Sequence, residues 1–345
     1  MQFVVYKGAL EHPYGDSFGI VTRSSLGKGI DAFGTLEGGV GYHKNHNKKR
    51  GKSCADFCGV PFEKNLDAVL ARSDIDGVMV ECATVKHREV ILRAAAAKKH
   101  VFSDKTLALS SADCAEIKEA LEKAGVKFVL SMEAKIAGPY RYAKKLVEEG
   151  VLGRVGSAYF RRDHGAALDR FLPDYWYDPA QTGGGVTLDL GCHGFYLLAQ
   201  FCGKPVRVVN LMNGPYGTGS DENSTTIVEF ENGALGTAHT SFVSWKMDNL
   251  LEIIGSEGMF VATGTKPENY RVLLQSKNLP GYEEPRPVPE EEYGPDDEFP
   301  IVKFARLLQS PETETDLYGI DKAIVLARLV ECAYRSAKTG QAVMF

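Results

Sequence analysis

The sequence predicts an α/β chain in two parts, a doubly wound parallel sheet over residues 1–135 and an α+β domain with a large, mostly antiparallel sheet over residues 136–345. Three observations carry this. Strand and helix patterns alternate through the first part, which is the grammar of βαβ units. Strands then follow one another with a single long helix among them. At roughly 100–200 residues per domain, a chain of 345 residues is long enough for two cores.

In the first part, FVVYKGAL reads as a strand, Gly38 to Tyr42 as a second strand and KRGKSCADFCG as a helix ended by Gly59. Leu66 to Arg72 is a short helix, and DGVMVEC is an apolar run that suits a buried parallel strand. KHREVILRAAAAKK is a helix, HVFSD a strand, SADCAEIKEALEKAG a helix capped by Ser110 or Ser111, and KFVLSM a strand. In the second part VGSAYFRRDHG, PVRVVNLMNG, STTIVEFENGALGTAHTSFV, NLLEIIGSEGMFVATG and NYRVLLQS read as strands, with an Asn-Gly hairpin signal in ENGA. A helix is expected near residues 184–202, an exposed Pro- and acid-rich loop after it, and a last helix over 320–338 that packs back on the first domain.

Hydrophobic residues make up 44% and charged residues 25%, as in ordinary globular proteins. A net charge of −5 gives no reason to expect nucleic acid or an anionic membrane as partner. No apolar run approaches a membrane-spanning length, and the N-terminus has no signal-peptide pattern. The seven cysteines (Cys54, Cys58, Cys82, Cys114, Cys192, Cys202, Cys332) are scattered, which fits reduced thiols in the cytoplasm. Cys54 and Cys58 read as packing residues, because no second cysteine cluster accompanies them.

Three segments carry chemistry. In HVFSDKTLALS a strand runs into Asp104 and Lys105. A lysine at the carboxyl end of a buried parallel strand points to where such sheets bind ligands, and partial burial would lower its pKa. By position alone a solvated surface lysine stays open. In TGGGVTLDLGCHGFYLL, Asp189 and His193 are four apart and would share a helix face, which suits acid/base work or simply a buried helix-stabilising pair. Gly183 to Gly185 would let the backbone approach a ligand. In ECATVKHREV, Thr84 is placed to cap a helix whose free N–H groups suit a phosphate or ribose, with His87 nearby; a plain cap with an exposed histidine is the alternative.

Together these segments resemble the Gfo/Idh/MocA (glucose-fructose oxidoreductase / inositol dehydrogenase) family. DGVMVECATVKHREVILRAAAAKKHVFSDKTLA is similar to that family's strand, Thr-x-x-His turn, helix, strand and Glu-Lys-Pro signature. GGGVTLDLGCHGFYLLAQFCGKP matches its Gly-Gly-Gly-x-x-x-Asp-x-Gly-x-His helix, and IGSEGMF and SAKTGQAV also fit. The resemblance implies a Rossmann-type first domain that binds NAD or NADP, and oxidation of a hydroxyl on a sugar, glycoside or cyclitol. It implies that Lys105 binds the reacting hydroxyl, that His193 takes its proton, and that Asp189 orients or relays. Cofactor contacts are expected at Gly8, His12, Thr84, His87, Asp104 and Lys105. Substrate contacts are expected at Lys105, Arg162, His164, Trp176, Asp189 and His193. The expected partners are a small carbohydrate or cyclitol and further copies of the chain, as dimer or tetramer.

The chain departs from the family pattern at three places. Position 104 is Asp rather than Glu, and position 106 is Thr rather than Pro, which puts the lysine's placement in question. After the first strand only Gly8 and Gly15 stand where the family has G-x-G-x-x-G, and Glu11 adds negative charge there. The acid after the second strand is replaced by a basic stretch, His43 to Arg50, which suits either NADP or a solvated helix start. These departures keep two other readings in view. One is a metal-assisted lyase or epimerase using His12, His164, His193, Asp163 and Asp189 toward Zn or Mn. The other is a sugar-binding protein without turnover, for which the acid/base residues have no use.

Overall fold

The computed structural model describes residues 65–310 and 318–345, and the backbone alone of residues 2–7, 17–22 and 62–63. Among these residues the strands form two sheets, of six and nine strands. The first contains β1 (Gln2–Lys7), β2 (Ser17–Thr22), β3 (Phe62–Glu63), β4 (Gly77–Val80), β5 (His100–Ser103) and β6 (Phe128–Leu130), in the order β3-β2-β1-β4-β5-β6. β1, β4, β5 and β6 are parallel, as the alternating pattern predicts. β2 and β3 depart from it, since β2 runs antiparallel to β1 and β3 antiparallel to β2. The strand beside β1 is therefore Ser17–Thr22, which the sequence pattern did not single out. Gly8, His12, the candidate strand Gly38 to Tyr42 and the candidate helix with Cys54 and Cys58 lie outside the described residues.

The helices of this half follow from spacing and caps. α1 (Leu66–Leu70) starts at Asn65, whose side chain accepts from two backbone N–H groups. α2 (Thr84–Ala96) buries His87, Val90, Ile91, Ala94 and Ala95, a single stripe at helical spacing. Its N-cap is Ala83, which has no side chain to offer; Thr84 is the first helical residue and not the cap. α3 (Ser111–Ala124) begins at Ser110, whose hydroxyl accepts from the Asp113 amide, and stops at Gly125 with φ of 66°.

The second sheet has the order β14-β13-β12-β11-β7-β10-β9-β8-β15. Its strands are β7 (Val155–Asp163), β8 (Pro205–Asn213), β9 (Asn223–Phe230), β10 (Leu235–Ser241), β11 (Asp248–Gly255), β12 (Gly258–Thr263), β13 (Arg271–Ser276), β14 (Arg286–Pro287) and β15 (Val343–Met344). All neighbours pair antiparallel except β7 and β10, which are parallel. The Asn-Gly signal is a hairpin turn between β9 and β10, with Gly233 at φ of 84°. One face of the sheet carries the core. α4 (Gly138–Glu148) and α5 (Cys192–Cys202) lie against it, α5 over β7 and β10. α6 (Pro300–Gln309) packs on β6. α7 (Ile320–Thr339) touches both halves: the Ser111 amide donates to Glu331 Oε2 at 2.8 Å, and the Asn210 amide of β8 donates to Ser336 Oγ at 3.0 Å.

α5 sits close to its sheet because residue 194 has no side chain. A Cβ there would lie 2.8 Å from both the Ala238 Cβ and the Phe160 Cδ1. Two opposed magnitudes follow for Gly194→Ala. Helix propensity alone would stabilise the variant by about 1 kcal/mol, while overpacking a full core costs about 1–3 kcal/mol. The clash is with a buried methyl and a buried ring, so we expect net destabilisation of about 1–2 kcal/mol in urea unfolding. A more stable variant would mean that α5 is free to lift from the sheet.

Candidate active site

β5 ends at Ser103, but the Asp104 amide still bonds to the Val80 carbonyl at 2.8 Å, so strand pairing extends one residue before the chain turns. Lys105 leaves the sheet at this carboxyl edge, and the peptide bond to Thr106 is cis. Burial raises the pKa of Asp104. His87 braces the turn from below. It is 1% exposed, with Nδ1 2.7 Å from the Thr106 carbonyl and Nε2 2.8 Å from the Cys82 carbonyl. The alternative of an exposed histidine at this place is corrected, since the ring is buried. A carbonyl only accepts, so the single N–H of the neutral ring bonds to one of these two oxygens, and the buried ring lies between the turn after β4 and the lysine loop.

The second half meets Lys105 through a π-helical turn, Thr187–Gly191, that runs into α5. Such a turn widens the helix and re-aims its side chains. Lys105 Nζ donates to Asp189 Oδ1 at 2.7 Å and to the Asp189 carbonyl at 2.9 Å. The two side chains are 13% and 14% exposed, so the pair is largely shielded from water. Burial opposes the ammonium's charge, but the Asp189 carboxylate outweighs it and lifts Lys105 above the ordinary lysine value. The depressed lysine pKa expected from burial alone is therefore overturned. Burial likewise works against the Asp189 carboxylate, but the charge and hydrogen bond of Lys105 hold its pKa below the usual range.

Asp189 and His193 take different hydrogen-bond partners. The carboxylate goes to Lys105, whereas His193, 2% exposed, places Nδ1 2.7 Å from Tyr196 Oη. Tyr196 Oη in turn accepts from the Ala134 amide at 3.0 Å. The carboxylate within reach of the imidazole is that of Glu133, with Oε1 3.8 Å from His193 Nε2 and 3.5 Å from Arg162 Nη2. Burial pushes His193 well below the usual histidine value, and the charges of Arg162 and Lys105 push the same way. Lys135 lies under this group, its ammonium 5.6 Å from the centre of the Tyr196 ring and 5.9 Å from that of Tyr318. Burial, with Lys322 and Lys144 nearby, pushes Lys135 down to about 7.

Glu133 and Tyr196 were missed by sequence reasoning, although each had a signal. Glu133 follows the buried strand β6 closely, by the rule that singled out Lys105 after β5. Tyr196 is three residues after His193 on one helix, a facing position.

Other candidates take different places. Arg162, the last residue but one of β7, lies beside Glu133, and its Nε is buried without an acceptor. His164 stacks on Phe242 at 4.9 Å, and its Nδ1 accepts from the Ala166 amide at 3.3 Å. Burial lowers its pKa, against the nearby Asp189 charge. Trp176 makes its ring contact with Tyr175, at 6.1 Å, outside the hydrogen-bonded cluster. The three glycines approach protein groups: a Cβ at Gly184 would lie 2.1 Å from Tyr334 Oη, and one at Gly185 2.3 Å from the Asp221 carbonyl. Asp221 clasps this segment by accepting from the amides of Gly185 at 2.8 Å and Thr187 at 2.7 Å. Among the described residues no group of three or more His, Cys, Asp or Glu is placed to hold a metal ion. No helix there is long and apolar enough to cross a membrane.

The Lys105–Asp189 pair gives a pH-dependent prediction. Asp189→Asn leaves a buried ammonium without its counter-charge, at an expected cost of about 3 kcal/mol near pH 7. The Asp189 pKa is lowered on folding, so the carboxylate's contribution is complete above its unfolded value of 3.8 and is lost as the pH falls through the folded value. Urea unfolding of both proteins at pH 7 and pH 3 checks this: the gap between them narrows at the lower pH. An equal gap at both would remove the ion pair from the account.

Two family models match the chain, one described as "Oxidoreductase family, NAD-binding Rossmann fold" over residues 44–132 and one as the GFO/IDH/MocA C-terminal domain over residues 140–261. The chain is 29% identical over 179 residues to the 2,7-anhydro-N-acetylneuraminate hydratase of Escherichia coli, covering 50% of this chain and 47% of that one. It is 26% identical over 217 residues to the scyllo-inositol 2-dehydrogenase (NAD(+)) of Bacillus subtilis, covering 61% of each. The chain thus spans about half to three fifths of the length of these relatives. Among solved structures, GenD2 from gentamicin A biosynthesis, in complex with NAD, superposes with a TM-score of 0.75 at 21% identity over 93% of each chain, a likeness of fold. With both models matched in their expected order, the chain belongs to the Gfo/Idh/MocA oxidoreductase family, residues 44–132 matching its NAD-binding Rossmann fold.

Proposed function

We propose that the protein is an NAD(P)-dependent dehydrogenase that oxidises a secondary hydroxyl of a sugar, glycoside or cyclitol. The observation that carries this reading is the contact between Lys105, from the carboxyl edge of the first sheet, and Asp189, from the segment that leads into His193. It sets a cation and an imidazole on adjoining elements where such sheets bind ligands.

A bound nicotinamide dinucleotide supplies the hydride acceptor. The carboxyl ends of β4, β5 and β6 and the uncapped start of α2 suit that group, because an uncapped helix start leaves amide donors for a phosphate or ribose. Thr84, Asp104 and Lys105 are the described residues we assign to it, with Gly8 and His12 as further candidates. Lys105 has three N–H donors and spends two on Asp189, so one is left for a substrate hydroxyl. Its held charge stabilises the oxygen as that oxygen loses its proton. His193 is neutral near pH 7, because burial and two cations oppose its charging, and it serves as the acid/base group. Arg162 and His164 border the same space and are assigned to substrate, with Trp176 as an outer candidate.

The scyllo-inositol dehydrogenase relative supports a cyclitol or sugar as substrate. The hydratase relative supports a second reading, in which the net reaction adds or removes water on a sugar. Self-association is proposed through the outer face of the second sheet, where Met344 of β15, Val209 and Leu211 of β8, Ile227 of β9, Leu235 of β10 and Ile254 of β11 are exposed apolar residues. Buried thiols at Cys114, Cys192, Cys202 and Cys332 support a reducing compartment such as the cytoplasm.

Calorimetric titration with NAD and with NADP tests the cofactor and distinguishes the two. Incubation with sugars and cyclitols, followed by product mass, separates the two reactions: a dehydrogenase product is lighter by two hydrogens, a hydratase product differs by one water. Lys105→Ala is expected to lower kcat by about 10²–10³-fold with the fold retained. Binding of neither dinucleotide, or full turnover by the alanine variant, would overturn the reading.

A further inference from the structure

The strand that carries Arg162 keeps its pairing past Asp163, since the His164 amide donates to the Ser241 carbonyl of β10 at 2.9 Å. Side chains two apart on a strand share a face, so His164 lies on the sheet face that carries Arg162. The His164 ring is held in one orientation. It stacks on Phe242, with ring centres 4.9 Å apart and planes 7° apart, and Phe171 meets it edge-on at 5.3 Å. Turning the ring over would set a C–H against the Ala166 amide and lose that hydrogen bond.

The same contacts place the ring's proton. An amide can only donate, and that of Ala166 points at Nδ1 from 3.3 Å, so Nδ1 presents its lone pair. Burial holds His164 below the usual histidine value, and the charges of Arg162 and Lys105 push the same way, against that of Asp189. The ring is neutral, and its single proton sits on Nε2. This N–H has no hydrogen-bond partner among the described residues, and Nε2 is not one of the orphaned polar atoms sealed from solvent. Arg162 makes no hydrogen bond among the described residues either; its contact is with Glu133 at 3.5 Å. Two donor groups therefore stand unspent on one sheet face, close enough to Lys105 and Asp189 for both charges to act on the His164 ring.

We propose that His164 is a specificity-determining residue of this site: its Nε2–H donates to an oxygen of the substrate beside the carbinol held by Lys105, with Arg162 as the neighbouring donor. The role rests on the assignment of this space to a sugar or cyclitol. A hydroxyl or ring oxygen at that place accepts the N–H with a lone pair. A deoxy carbon leaves the donor unpaired, and an ammonium, which only donates, is refused. The two imidazoles of the site have different duties. His193 exchanges a proton in turnover, whereas His164 keeps its own and reads the substrate with it. Its ring plane is set by two aromatic neighbours and its tautomer by a backbone amide, so the direction of the N–H exists before any ligand arrives.

The test uses the full-length protein labelled with ¹⁵N-histidine. His164→Gln identifies the ring signals by their loss. In the ligand-free protein at pH 7 we expect a neutral ring protonated on Nε2. scyllo-Inositol, D-glucose and D-xylose are then titrated with NADH present, which allows binding of the alcohol without its oxidation. The sugar or cyclitol that binds is expected to move the His164 Nε2–H signal. Its calorimetric Kd is expected to rise about tenfold in His164→Leu and to recover in His164→Gln, whose amide can donate in place of the ring. A charged ring, or a proton on Nδ1, in the ligand-free protein would overturn the proposal whatever binds. So would a bound sugar that leaves the signal in place, or equal affinity in the leucine variant. Binding of none of the three would strike the sugar or cyclitol reading and the role of His164 with it, and the ligand-free spectra tell that failure from an error in the ring's form.

Discussion

The contact on which the site depends is the one between the Lys105 ammonium and Asp189. It joins a loop at the edge of the first sheet to a turn held over the second, two segments 84 residues apart in the chain. Buried ion pairs are poor sources of net stability, because desolvation offsets much of the attraction. Their strength lies in geometry. Here the ammonium meets both the carbonyl and the carboxylate of one residue, which leaves a single N–H in a defined direction. The same carboxylate keeps the lysine charged where burial would otherwise neutralise it.

Holding that contact requires close packing on both sides. On the first-domain side the buried His87 ring fills the space between the lysine loop and the turn after β4, each ring nitrogen close to a backbone carbonyl. On the other side Asp221 gathers the amides of Gly185 and Thr187 and the hydroxyl of Tyr334, while the glycines let Tyr334 and the Asp221 backbone come near. Tyr334 belongs to α7, which also bonds to the start of α3. The last helix thus ties the glycine segment to both halves. Gly194 then lets α5 settle directly on Phe160 and Ala238, fixing the height of His193 over the sheet.

The electrostatics divide the labour between two basic groups a short way apart. Lys105 has a carboxylate partner and stays charged; His193 has a phenol partner and two cations nearby, and stays neutral. Burial alone would push both groups toward neutrality. The different outcomes come from which side chain each one touches. Under the proposed function the charged group stabilises negative charge on an oxygen and the neutral one moves a proton.

Much of this was legible in the chain itself, and the division follows a physical line. Local signals act over a few residues: the apolar stripe of α2, the Ser110 cap and Gly125 stop of α3, and the Asn-Gly turn between β9 and β10 each encode an element through its own periodicity or turn chemistry. The motif spacing around Lys105, Asp189 and His193 likewise identified the family and pointed to the segments assigned to the site. Long-range partners have no such local trace. The antiparallel β2 beside β1, the choice of Lys105 over His193 as partner of Asp189, the glycines' service to Tyr334 and Asp221, and the arrival of Glu133 at His193 all depend on chain segments brought together from afar. Burial and neighbouring charge set a pKa, and both exist only once the chain has folded. The sequence by itself therefore determined which residues could react, while the tertiary structure decided which of them carry charge and which way each one faces.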